Sequence, residues 1–188
     1  MAGQRAPLDE EQMIPHPRFS LAERDRRWAA LRALMAERGL TAIVTPAHTG
    51  HSLDFQANSR YLSHCGGGEG AEITVIFPLD GEVTVGATSA AERWPRAQNW
   101  VTDIREARRD YGKVAVERLH ELGVTDDRVG ITGLGTGTRS PEGTVLYHTM
   151  LALQQAFPAA TFEDATDLLD EVRLTKSEEE IEFLRRRR

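Results

Sequence analysis

The chain has 188 residues, 40% apolar and 28% charged, with a formal net charge of −6 from 23 basic and 29 acidic side chains. That length supports one well-buried core plus an arm or linker, and an acidic balance with no dense basic stripe before the terminal arginines excludes a general nucleic-acid backbone binder. No apolar run approaches the ~20 residues that span a bilayer, and the first twenty residues hold acids and prolines where a secretory signal needs an apolar stretch. The single cysteine, Cys65, rules out an intrachain disulfide framework. These features set the expectation of a cytoplasmic protein without membrane or nucleic-acid partners.

Residues 1–18 carry three prolines and read as an extended arm. Ser20-Leu21-Ala22-Glu23 has the form of a capping box and predicts a helix start. Leu21, Trp28, Leu31, Leu34 and Met35 then form a stripe suited to burial, and Gly39 sits at the expected C-cap. Thr41–Thr45 is a β-branched run ended by Pro46 and predicts a buried strand. From Ala47 to Gly70 the sequence is polar and irregular, the natural place for a functional loop. Glu72–Phe77 and Glu82–Ala87 predict two strands joined by Pro78-Leu79-Asp80-Gly81, whose Asp-Gly is a hairpin signal.

Ser89-Ala90-Ala91-Glu92 offers another capping box and a short helix to about Trp94, and Val101–Ile104 has strand character. Asp110–Leu122 reads as an amphipathic helix closed by Gly123, and Arg128–Thr132 as a strand. Ser140 followed by Pro141 predicts a helix start, with Val145, Leu146, Met150, Leu153 and Phe157 along one face. Thr161-Phe162 is a short strand and Asp164–Val172 a further helix. Strands alternating with helices after one hairpin indicate an α/β domain over residues 19–172, a mixed sheet flanked by helices.

Ser177-Glu178-Glu179-Glu180 opens a last helix. Ile181 and Leu184 begin its apolar stripe, Glu182 can pair with Arg186, and acids precede bases as the helix dipole favours. No stop signal follows, so residues 173–188 are expected to begin a linker helix into a further domain.

Arg27-Trp28-x-x-Leu31-x-x-Leu34-Met35, followed by Gly39-Leu40-x-Ala42-Ile43-Val44, resembles the opening helix and strand of the creatinase/prolidase/aminopeptidase P N-terminal domain. Asn58-Ser59-Arg60-Tyr61-Leu62-Ser63 is similar to that family's Asn-x-x-Tyr-Leu-Thr segment, and Leu79-Asp80-Gly81-Glu82 to its hairpin. Leu169-x-Glu171-x-Arg173-x-x-Lys176-Ser177-x-x-Glu180-Ile181-x-x-Leu184-Arg185 resembles its connection into the catalytic domain. Departures are the His-containing stretch 47–57 and the Gly66–Gly68 run.

The resemblance implies a ribonuclease-H-like fold without nuclease chemistry, in a non-catalytic domain serving oligomerisation and active-site access. The implied parent is a Xaa-Pro peptidase or creatinase-like hydrolase acting on a peptide or a small amide or amidine. Its two divalent ions (Mn, Co or Zn) would lie in a catalytic domain outside this sequence, so no catalytic and no metal residue is assigned here. A homodimer or higher homo-oligomer is expected. The alternative is a stand-alone binding module of the same fold.

Asn58, Arg60, Tyr61 and His51 are the candidate substrate-access or interface residues. In one reading Arg60 projects toward a partner subunit's cleft, where a guanidinium can bind a peptide carboxylate bidentately. In the other, Asn58 caps a turn and the Tyr61 ring packs into the core. His48-x-x-His51 with Asp54, His64 and Cys65 supplies zinc-type ligands, yet a structural zinc site needs about four convergent groups, and exposed or interface histidines are the plainer reading. Gly133-x-Gly135-x-Gly137 follows a strand but lacks dinucleotide spacing and the P-loop Lys-Ser/Thr, so a connection is expected. Asp103, Asp110, Glu117, Asp164 and Asp167 are scattered over helix starts and faces, unlike the converging acids of two-metal chemistry. Arg185–Arg188 reads as a helix face rather than a basic tag.

Overall fold

The structure is a computed structural model, and it describes residues 19–47, 57–65, 72–88, 98–135 and 142–186. In chain order the elements are α1 (Leu21–Arg38), β1 (Ala42–Thr45), α2 (Ala57–Ser63), β2 (Ile73–Pro78), β3 (Thr84–Ala87) and β4 (Asp103–Glu106). Then follow α3 (Tyr111–Glu121), β5 (Arg128–Ile131), α4 (Tyr147–Ala156), β6 (Thr161–Asp164), α5 (Thr166–Leu174) and α6 (Glu178–Arg186).

The six strands form one sheet in the order β4-β3-β2-β1-β5-β6. β2 runs antiparallel to both its neighbours, with Ile43 opposite Phe77 and Val75 opposite Val85. The remaining pairings, β3 with β4, β1 with β5 and β5 with β6, are parallel. Burial follows position: β1, β2 and β3 are buried throughout, while the edge strands β4 and β6 are partly exposed and carry Asp103, Arg105, Glu106, Glu163 and Asp164. Charged edges discourage pairing with another chain.

Alternation along the strands sends side chains to two apolar layers. On one face Leu31 and Met35 of α1, Leu62 of α2 and Leu168 and Leu169 of α5 pack on Ile43, Val75, Phe77 and Val85. On the other, Val114 and Leu119 of α3 and Leu153 and Phe157 of α4 pack on Val44, Ile76, Val129 and Ile131. Helices therefore cover both faces of a mixed sheet, as expected of an α/β domain. α6 adds no side chain to either buried layer.

Local signals act as their chemistry predicts. Ser20 Oγ accepts from the Glu23 amide at 3.1 Å, and Gly39, at φ +71°, closes α1 with its amide directed to Ala36. Gly81 (φ +94°) turns the hairpin and Gly123 (φ +77°) ends α3, both in the left-handed region that glycine enters without a Cβ penalty. Asp110 caps α3 through the Lys113 amide. At α6 the box is reciprocal: Ser177 Oγ accepts from the Glu180 amide at 3.1 Å, and Glu180 Oε2 from the Ser177 amide at 3.0 Å.

Several expectations are corrected. Residues 57–63, expected within an irregular loop, form helix α2. The strand expected at 101–104 lies at 103–106, with Trp100 and Val101 buried just before it. α4 begins at Tyr147, so Val145 and Leu146 pack from an extended segment that precedes the helix. Leu21, placed in the buried stripe of α1, is 43% exposed, whereas Glu23 and Arg27 of that helix are buried. The arm 1–18, the helix expected at 89–94, Ser140 and Pro141, and the histidines His48 and His51 lie outside the described residues.

Candidate functional site

α2 presents the residues singled out from sequence, and they face different ways. Asn58 Oδ1 accepts from Arg173 Nη1 of α5 at 2.9 Å. Tyr61 is half-buried; its hydroxyl donates to the Val172 carbonyl at 3.3 Å and its ring lies 4.0 Å from the Arg27 guanidinium. Arg60 is exposed and enters no ion pair among the described residues. Asn58 and Tyr61 thus tie α2 to α5 and α1, while Arg60 lies on the exposed side of the helix. His51 lies outside the described residues.

Beneath α2 is a cluster that the sequence reading missed. The Arg27 side chain is 2% exposed and that of Glu23 3%. Arg27 Nε donates to Glu23 Oε1 at 2.6 Å, Nη1 to the Tyr61 carbonyl at 3.0 Å and Nη2 to Glu180 Oε1 at 3.1 Å. The aromatic rings of Tyr61, Phe19 and Trp100 surround the guanidinium at 4.0, 4.7 and 5.1 Å, where a desolvated cation–π contact is strongest. Arg26 adds a second cation, holding both Glu23 oxygens at 2.8 Å and Glu180 Oε2 at 3.2 Å. Two guanidinium groups thus face two carboxylates, the balance a buried ionic group requires. Burial pushes the Glu23 carboxyl up, but the hydrogen bonds from Arg26 and Arg27 outweigh it and hold it at about 2.

Glu23 is drawn fully into this cluster, so its half of the α1 capping box is taken by another residue. The Ser20 amide donates to Glu179 Oε1 at 2.6 Å and Ser20 Oγ to Glu179 Oε2 at 2.8 Å. Glu179 of α6 thus caps the N-terminus of α1 across 159 residues of sequence, while α6 is capped by its own Ser177. The local signals were visible, since Glu23 and Glu180 each stand at the third position of a capping box. Their convergence on Arg27 was not, because nothing in either box marks a partner so far along the chain.

The other sequence candidates resolve into structural roles. His64 stacks on Trp100 with ring centroids 3.8 Å apart. Burial, then the nearby Arg27 and Arg60 charges, lower its imidazole to about 4. Cys65 is buried, which pushes its thiol up to about 12. Asp103 binds Arg105 and Thr84, Asp110 caps α3, Glu117 pairs with Lys113, Asp164 accepts from Thr166 and Asp167 pairs with Arg38. Among the described residues no three His, Cys, Asp or Glu side chains are grouped to hold a metal ion. At the glycine run, Gly133 (φ +78°) accepts from the Thr144 amide, and a Cβ on Gly135 would stand 2.5 Å from the Asp164 carboxylate. A carboxylate against that loop disfavours a phosphate there. Arg186 pairs with Glu182, as its spacing in α6 predicts.

Comparison with known proteins agrees with this architecture. The chain is similar in structure to the Xaa-Pro dipeptidase from Bacillus anthracis (TM-score 0.60, 17% identity), over 85% of this chain and 38% of that one. The recombinant prolidase from Thermococcus sibiricus matches with a TM-score of 0.61 at 17% identity, over 84% of this chain and 39% of that one. A Xaa-Pro aminopeptidase from Streptococcus pyogenes matches at TM-score 0.58 and 21% identity, over 82% of this chain and 100% of that one. At such identities the likeness shows the fold, and the chain spans well under half the length of the first two proteins. No curated protein sequence matches. The model of the creatinase/prolidase N-terminal domain matches residues 27–175, from the buried Arg27 to the end of α5, and the chain belongs to that family.

Proposed function

We propose that the chain acts as the non-catalytic N-terminal domain of a Xaa-Pro peptidase- or creatinase-like hydrolase, contributing to self-association and to access to the active site. The family match over residues 27–175 carries the reading. The candidate acids Asp103, Asp110, Glu117, Asp164 and Asp167 are engaged in caps, hydrogen bonds and ion pairs, His64 is stacked and Cys65 buried, which accords with that reading. The two divalent ions of a metal-dependent parent have no fitting donor set among the described residues, so no catalytic step is assigned to them here. Access is the role suited to α2, where Arg60 offers a guanidinium to a peptide carboxylate while Asn58 and Tyr61 fix the helix beneath it.

The purified chain, supplied with manganese or cobalt and Xaa-Pro di- and tripeptides, is expected to release no proline-containing product. In sedimentation velocity it is expected to form dimers or larger species as concentration rises. Turnover that follows the chain through purification would overturn the non-catalytic assignment, and a monomer at every concentration would remove the self-association role.

A further inference from the structure

Arg27 spends its donors on three elements at once: Glu23 of its own helix, the Tyr61 carbonyl of α2 and Glu180 of α6. Among the described residues no hydrogen bond or ion pair joins α2 to α6 directly; α2 is otherwise held by Trp28 Nε1 on the Leu62 carbonyl at 2.9 Å, by the Ser59 hydroxyl against that of Thr45 in β1 at 2.7 Å and by its bonds to α5. α6, for its part, is seated by polar groups at its first turn and by the edge of Phe183 against Phe19 at 5.4 Å. A guanidinium is a planar fork, so a shift of one N–H contact moves the others. The same plane is clamped among the Tyr61, Phe19 and Trp100 rings, and Trp100 in turn donates Nε1–H to the Phe19 carbonyl and stacks on His64 at the end of α2.

We propose that Arg27 couples the seating of α6 to the position of α2, so that lifting Glu180 from the cluster loosens the helix that carries Asn58, Arg60 and Tyr61. Loss of Glu180 leaves Arg26 and Arg27 sharing Glu23 alone. The guanidinium then turns toward the remaining carboxylate, and its bond to the Tyr61 carbonyl weakens. The sheet is not on this route, because both apolar layers form without α6. The coupling is a property of this chain by itself; that α2 borders a substrate route rests on the functional reading above.

Hydrogen exchange on the intact chain tests it without needing activity or self-association. The Glu180→Gln variant keeps its shape and still has Glu23 to neutralise Arg27. It is expected to raise exchange in the first turn of α6 and across residues 57–65 by roughly 10- to 100-fold, the change that losing one hydrogen bond to a charged group carries. Amides of β1, β2 and α3 should keep wild-type rates. A rise confined to α6 would overturn the coupling, and so would a uniform rise through the sheet. Should that variant fail to fold, Glu179→Ala removes both contacts to Ser20 and leaves all four charges of the cluster in place. Residues 57–65 must then loosen together with α6, and their retention of wild-type exchange would equally refute the proposal.

Discussion

His64 and Glu23 face the same guanidinium, yet they respond to acid in different windows. The His64 imidazole is lowered to about 4 by burial first, then by Arg27 and Arg60, with Glu23 acting weakly in the opposite sense. Its ordinary value is 6.5, so between those limits the unfolded chain takes up a proton that the folded chain refuses. The stability tied to neutral His64 is therefore whole above about pH 6.5 and is lost as pH falls toward 4, to the extent of ~3 kcal/mol. Glu23, held at about 2 against an ordinary 4.5, contributes above pH 4.5 and loses its contribution below that. Urea titrations from pH 7 to 4.5 isolate the first window. His64→Asn tolerates the left-handed backbone at this position (φ +57°) and cannot titrate, so its stability should change less over that range than the wild type's. Parallel slopes would show that His64 takes its proton freely in the folded state. Of this chemistry the sequence displays only a histidine beside a cysteine, a pair that suggests metal binding as readily as stacking. Which of the two it is depends on Trp100, which comes from the turn before β4.

At the scale of elements, legibility follows from how local the signal is. Capping residues and turn glycines act within a few positions, and Ser20, Gly39, Gly81, Asp110, Gly123 and Ser177 do what their types predict. α2 escapes because it is only seven residues long. Its stability comes from tertiary bonds, Arg173 to Asn58 and Trp28 to Leu62, that a sequence window does not contain. The late start of α4 has another cause: Val145 and Leu146 are apolar because they pack on the sheet, and that burial imitates a helical stripe. Close helix–sheet approach gives a sharper test at Gly130 in β5. A Cβ there would lie 2.7 Å from Ala165 Cβ, 3.0 Å from Ile43 Cγ1 and 3.1 Å from Leu40 Cδ1. All three neighbours are fully packed core side chains, so Gly130→Ala is expected to destabilise by about 1–3 kcal/mol, as overpacking commonly does. A lowered urea midpoint with an unchanged slope would register it; an unaltered midpoint would mean that β5 and α5 can part at little cost.

For the molecule as a whole, composition and alternation indicate a mixed sheet with helices on both faces, but not the order β4-β3-β2-β1-β5-β6. β1, β3, β4, β5 and β6 are each four residues long, and the buried ones carry interchangeable β-branched runs, so pairing is decided by connections rather than by any one strand's pattern. The architecture does fix what α6 contributes. Both apolar layers form without it, and its attachments include Glu179 to Ser20, Glu180 to Arg26 and Arg27, and the edge of Phe183 against Phe19. Removing residues 177–188 should leave the sheet and its covering helices folded. The loss is mainly one buried charged hydrogen bond and an exposed cap, about 2–3 kcal/mol. For a chain of this size that corresponds to a fall in Tm of ~4–10 °C. Thermal unfolding followed by circular dichroism should therefore show a single cooperative transition, moved down by that amount. If instead the shortened chain melts without a transition, the Arg27 cluster is the keystone of the fold and α6 is inseparable from the domain; if its Tm is unchanged, the bonds from Glu179 and Glu180 position α6 without stabilising the domain.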